Sequence, residues 1–173
     1  MKFLGPLIVV KDIAASVQFY QNLFDLEVAY DFGENVSFTN GISLQSVASF
    51  ARLTGVSDDT ILCRPHNMEL YFEEEEFDLF LSRLKAMPEI NYVHEMIEHS
   101  WGQRVVRMYD PNLHIIEVGE SMEMVIRRCL ASGMSVSETA AKTQHPVEMV
   151  ERVAFGNANK RESHAFHTPF RRV

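Results

Sequence analysis

The chain has 173 residues, of which 46% are hydrophobic, 10% aromatic and 23% charged, with a formal net charge of −8. That is enough apolar material for a real core, which excludes a disordered chain, and no apolar run approaches the roughly 20 residues of a membrane span. The charge is uneven: residues 1–120 carry eight basic and nineteen acidic side chains, net −11, and the remainder eight basic and five acidic, net +3. A body this acidic repels phosphate backbones, so neither nucleic acid nor a membrane is an expected partner. The two cysteines, Cys63 and Cys129, are far apart and lack metal-ligand spacing. They read as reduced thiols of a cytoplasmic chain.

The opening residues stop at Lys11-Asp12, too short a run for a signal peptide, and Phe3–Val10 reads as a buried strand. Asp12 caps an expected helix with Ile13, Val17, Tyr20, Leu23 and Phe24 on one face. Three strand-like pieces follow, Leu26–Phe32, Asn35–Thr39 and Gly41–Ser46, punctuated by Gly33 and by an Asn40-Gly41 hairpin signal. A less regular linker, Val47–His66, has room for a short helix over Ser49–Leu53.

The same order then repeats. Asn67–Glu73 reads as a strand and Glu75–Met87 as a helix with Phe77, Phe80, Leu81 and Leu84 on one face. Tyr92–Ile97, Gln103–Tyr109 and His114–Val118 read as strands, with Asp110-Pro111-Asn112 as a turn. The acidic run Glu73–Glu76 suits a helix N-terminus. A β-α-β-β-β unit occurring twice predicts an α+β fold of two facing curved sheets. Beyond Ser121 three helices are expected. One ends at Gly133, one opens on the capping box Ser135-x-x-Glu138, and one starts at Pro146. Residues 157–173 lack periodicity and read as a loose tail.

The stretch from Val10-Lys11-Asp12-Ile13 to Phe19-Tyr20 resembles the first module of the vicinal oxygen chelate (glyoxalase/bleomycin-resistance/dioxygenase) superfamily. Trp101-Gly102-Gln103-Arg104, Tyr109-Asp110-Pro111 and Ile115-Ile116-Glu117-Val118 resemble its closing strands. The resemblance covers residues 3–120. It implies a domain over 1–120, with modules 3–46 and 67–120 as paired curved mixed sheets around a central cavity. A helical extension over 121–156 then follows. It also implies a small-molecule ligand, a homodimer, and either a glyoxalase-like lyase or isomerase or a metal-free sequestering protein of the bleomycin-resistance type.

In metal-binding members four inward positions surround a divalent ion that acts as a Lewis acid. Carried over by motif, they fall on Gly5, Gln45, Glu69 and Glu117. Gly5 cannot ligate, and the all-oxygen remainder, Gln45, Glu69 and Glu117, suits at most a weakly held hard ion such as Mn²⁺. Without metal, Glu69 and Glu117 would repel each other and serve as the acid–base pair. Glu117 alternatively reads as a solvated edge carboxylate. Arg104 is expected either to pair with one of these carboxylates or to bind a substrate carboxylate. Tyr71 and Trp101 read as core or as a ligand platform. His94, His99 and His114 follow no ligand spacing and read as surface or hydrogen-bonded. The segment Gly133–Val153 faintly resembles a helix-turn-helix, but its acidic third helix points to a packing appendage, with a DNA-touching sensor as the lesser alternative.

Overall fold

The computed structural model describes residues 1–61 and 65–156. Cys63 and the tail beyond Gly156 lie outside them. The elements run β1 (Leu7–Val10), α1 (Ile13–Phe24), β2 (Val28–Asp31), β3 (Asn35–Phe38), β4 (Ser43–Ser46), α2 (Val47–Thr54), a 3-10 turn (Asp58–Thr60) and β5 (Glu69–Glu74). Then come α3 (Phe77–Lys85), β6 (Asn91–Glu98), β7 (Arg104–Tyr109), β8 (Ile115–Glu120), α4 (Met122–Ala131), α5 (Val136–Thr143) and α6 (Val147–Phe155). The strands form two four-stranded sheets, β1-β4-β3-β2 and β5-β8-β7-β6. Each repeats the β-α-β-β-β order, as the internal repeat predicts. The first sheet is mixed, since β1 runs parallel to β4 while β4, β3 and β2 are antiparallel.

The chain divides into two compact units. The first comprises Met1–Phe72, Leu84–Glu95 and Val106–Val118. Its first sheet alternates cleanly: Ile8, Val10, Val36, Phe38 and Leu44 are buried on one face, while Asn35, Ser37, Ser43 and Gln45 occupy the other. α1 lays Tyr20 and Leu23 onto the apolar face, and its N-cap Asp12 accepts a hydrogen bond from the Ala15 amide. The strand expected from Phe3 begins only at Leu7, and Phe3 and Leu4 are exposed. Gly5 has φ +136, a conformation that L side chains rarely adopt and that breaks the strand. Its α-carbon passes so close to Gly41 that a Cβ on Gly5 would overlap the Gly41 carbonyl oxygen.

A buried polar knot ties the two turns of this unit together. Asp110 Oδ1 accepts from the amides of Asn112 and His114, and its Oδ2 accepts from Tyr20 Oη at 3.1 Å. His114 Nδ1 lies 2.9 Å from the same Oδ2. Asn112 accepts from the Lys11 amide and donates to Ser16 Oγ. Burial first, and then the Asp110 charge, push the Tyr20 phenol well above its usual range, so it stays a donor. The turn is closed by Leu113 at φ 67, a left-handed conformation usually left to glycine.

The second unit comprises Glu73–Arg83, Met96–Val105 and the chain from Gly119 onward. Its three C-terminal helices share an apolar cluster of Ile126, Ala140, Val150 and Val153, flanked by Leu130, Val136 and Met149. The Ser135–Glu138 capping box is present. Cys129 is a buried free thiol. Among the described residues no helix is long and apolar enough to cross a membrane.

Candidate functional site

Strand alternation sets the geometry of the second sheet. In β8, Ile116 and Val118 point into the apolar core and Glu117 points the other way; in β5, Leu70 is buried while Glu69 and Tyr71 turn outward. On β7 the residue sharing the carboxylates' face is Arg107. Its Nε donates to Glu69 Oε2 at 2.9 Å, and its Nη2 pairs with Glu117 Oε2. Nη1 lies 3.2 Å from His94 Nε2. His94 Nδ1 is 2.7 Å from the Glu95 carbonyl oxygen, which can only accept, so Nδ1 carries the proton and Nε2 is left to accept from Arg107. Tyr109, two residues along β7, stacks on His66 with its hydroxyl 3.1 Å from His66 Nε2.

The two carboxylates therefore do not face each other bare, as their repulsion in the sequence reading required: a guanidinium stands between them. They differ in access. The Glu117 side chain is 9% exposed and that of Glu69 40%. Gln45, the third oxygen donor expected from sequence, is buried on β4 and donates from Nε2 to Ser49 Oγ at 2.9 Å. Tyr71 lies half-exposed on the Glu69 side of β5.

Arg104, expected either to pair with one of these carboxylates or to bind a substrate carboxylate, belongs to the second unit. Three residues from Arg107 on the same strand, it projects from the opposite face. Its Nε and Nη2 fork onto Glu120, each at 3.0 Å, and its Nη1 reaches Asp78 at 2.7 Å, while the guanidinium lies 5.2 Å from the Phe77 ring centre. Arg128 completes the group on Glu120 at 2.9 Å. Burial pushes the Glu120 carboxyl up, but hydrogen bonds from Arg104 and Arg128 outweigh it and hold the group below its ordinary value. A hollow of about 470 Å³ borders this group, lined by Phe77, Asp78, Arg104, Glu120 and Arg128 among others. Trp101, also in the second unit, stacks on His99 with ring centres 4.2 Å apart and donates from Nε1 to Gln103 Oε1.

Sequence reasoning missed Arg107, and it read His94 as surface or hydrogen-bonded without naming the partner that the structure gives it. The signal for Arg107 was available: counting by two along β7 puts residue 107, not 104, on the face opposite Val106 and Met108. Nothing local marks His94, because it reaches Arg107 from the neighbouring strand.

The residues present do not fit a divalent ion. Among the described residues no group of three or more His, Cys, Asp or Glu side chains is placed to hold one. The first ligand position is a glycine pressed against backbone. One oxygen each of Glu69 and Glu117 is already paired to a cation.

Comparison with known proteins supplies the context. A family model described as a glyoxalase-like domain matches residues 3–123. No curated protein matches the chain. Among solved structures, a protein of unknown function from Agrobacterium tumefaciens is 34% identical, with 70% of this chain and 94% of that one covered at a TM-score of 0.62. A glyoxalase-related enzyme from Fulvimarina pelagi is 21% identical, covering 69% and 88% at 0.59. A lactoylglutathione lyase from Agrobacterium tumefaciens is 23% identical, covering 69% and 93% at 0.55. The last two likenesses speak to fold alone.

Proposed function

The chain belongs to the glyoxalase-like family, and from that premise we propose that it is a small-molecule enzyme of the lyase or isomerase type, working on the Glu69–Glu117 face of the second sheet. The observation that carries this reading is the pair of carboxylates of unequal access on that face, one reachable from solvent and one buried. Such a pair suits proton transfer next to a carbonyl: Glu69 takes a proton from the substrate carbon and returns it to a neighbouring atom, while Glu117 holds Arg107 and fixes the geometry. Tyr71 offers a platform for the apolar part of a substrate, and Gln45 an amide dipole. No step is routed through a metal, because the donor set does not fit one.

The test is turnover by the purified full chain on a panel of 2-oxoaldehyde and 2-hydroxycarbonyl compounds, lactoylglutathione among them, with and without chelator. Glu69→Gln is expected to lower kcat by about 10²-fold or more, in the range of a lost general base, with KM little changed. If no compound turns over but some raise the melting temperature, the second reading holds, a metal-free sequestering protein. The half-exposed Tyr71 beside carboxylates already paired with Arg107 favours that alternative. We also infer a homodimer, to be checked by sedimentation. The C-terminal helices are read as packing elements that do not bind DNA, since exposed Glu148 and Glu151 on α6 would repel phosphate.

A further inference from the structure

Arg107 is the residue on this face that the family resemblance does not explain. Its guanidinium is met by a carboxylate on β5, a carboxylate on β8 and an imidazole lone pair on β6. Two carboxylates and a neutral imidazole are also what a divalent ion would collect. Here they are spaced for a wider cation. They meet three separate nitrogens of a planar guanidinium, Glu69 at Nε (2.9 Å), His94 at Nη1 (3.2 Å) and Glu117 at Nη2, whereas an Mn²⁺-like ion needs its donors converging on one point. The partner atoms are oriented for this purpose, since the Glu95 carbonyl fixes the His94 tautomer that leaves Nε2 free to accept. Retrofitting the missing ligand is blocked as well, because any side chain at Gly5 meets the Gly41 backbone.

We propose that Arg107 is the built-in cation of this site, in place of a divalent ion, and that it receives a neutral carbonyl oxygen of the ligand. The inference rests on the small-molecule reading above and adds the ligand's chemical class. A guanidinium has five N–H donors. Glu69, Glu117 and His94 take three, and among the described residues the other two have no partner. The Arg107 side chain is 24% exposed, so part of it meets solvent. Charge decides between the two kinds of oxygen that fit. Two carboxylates and one guanidinium leave the group at net −1, so an incoming carboxylate meets more repulsion than attraction, while a ketone, aldehyde or amide oxygen meets only the donors. Lysine could not substitute, because a point charge cannot hold three partners in one plane and still offer two donors.

The test uses the full chain and needs no turnover. Side-chain ¹H–¹⁵N spectra of the Arg107 guanidinium are recorded with acetamide and with acetate at equal concentration and ionic strength. Acetamide is expected to shift the Arg107 resonances saturably and at least threefold more than acetate. Equal or larger shifts with acetate, or none with either, overturn the ligand class. In parallel, Mn²⁺ is titrated calorimetrically. The wild type is expected to show no saturable binding up to millimolar ion, and Arg107→Ala to bind Mn²⁺ at least tenfold more tightly than the wild type. Arg107→Ala is also expected to regain melting temperature with methylguanidinium but not with methylammonium. Stoichiometric Mn²⁺ on the wild type that is lost in Glu117→Gln would overturn the proposal. Should Arg107→Ala fail to fold, the wild-type spectra and the wild-type Mn²⁺ titration still decide it. A protein that turns over no substrate yet passes these tests refutes the enzymatic reading and leaves Arg107 in its role.

Discussion

The clearest energetic prediction concerns Glu120, whose side chain is 3% exposed and holds Arg104 and Arg128 together. Glu120→Gln keeps the shape but removes the charge both guanidinia face. Breaking a fully buried ion pair costs about 3–5 kcal/mol. Here the loss is smaller, because Arg104 and Arg128 are 19% and 38% exposed and keep Asp78 and Glu98 as partners. We expect about 2–3 kcal/mol on that scale, which for a chain of this size lowers the melting temperature by roughly 5–10 °C. The pH dependence follows from the sign of the shift. Glu120 is held below its ordinary value of 4.5. Its contribution is therefore complete above that value and lost as pH falls through the lower, folded-state value. Thermal unfolding followed by circular dichroism at pH 7 and at successively lower pH should show a gap between wild type and variant that closes in acid. A melting temperature within about 1 °C of wild type at pH 7, or a gap that persists unchanged in strong acid, would refute the assignment.

Three further outcomes are expected. Gly5→Ala should lower stability by at least about 1–3 kcal/mol, read from urea midpoints, because φ +136 strains any L side chain and the Cβ meets Gly41; Gly41→Ala should do the same, its Cβ falling 2.5 Å from the Leu4 carbonyl oxygen. Tyr20→Phe should cost about 1–3 kcal/mol by the same measure, since it leaves Asp110 Oδ2 one donor short in a buried site. Glu117→Gln should destabilise more than Glu69→Gln by calorimetry, because the first strands Arg107 from a 9%-exposed partner and the second from one that is 40% exposed.

Local sequence pattern determined the elements and their order. Amphipathic runs with period 3.6 marked α1 and α3, the Ser135–Glu138 box marked the start of α5, and the doubled strand–helix order marked the two sheets, because these signals depend on neighbours along the chain. Glu69 and Glu117 were legible from the family motif, and each interrupts an otherwise apolar strand, where a carboxylate needs a partner. Which cation answers them was not legible. Arg104 and Arg107 look alike in sequence, and only cross-strand register, a property of the assembled sheet, gives Arg107 to the two carboxylates and Arg104 to Glu120. The same holds for His94, whose partner lies on another strand, and for Gly5, which reads as a missing ligand until the chain brings Gly41 against it. Local pattern decides what each segment becomes. Contacts between residues far apart in sequence decide what the site is made of, since only folding sets their distances.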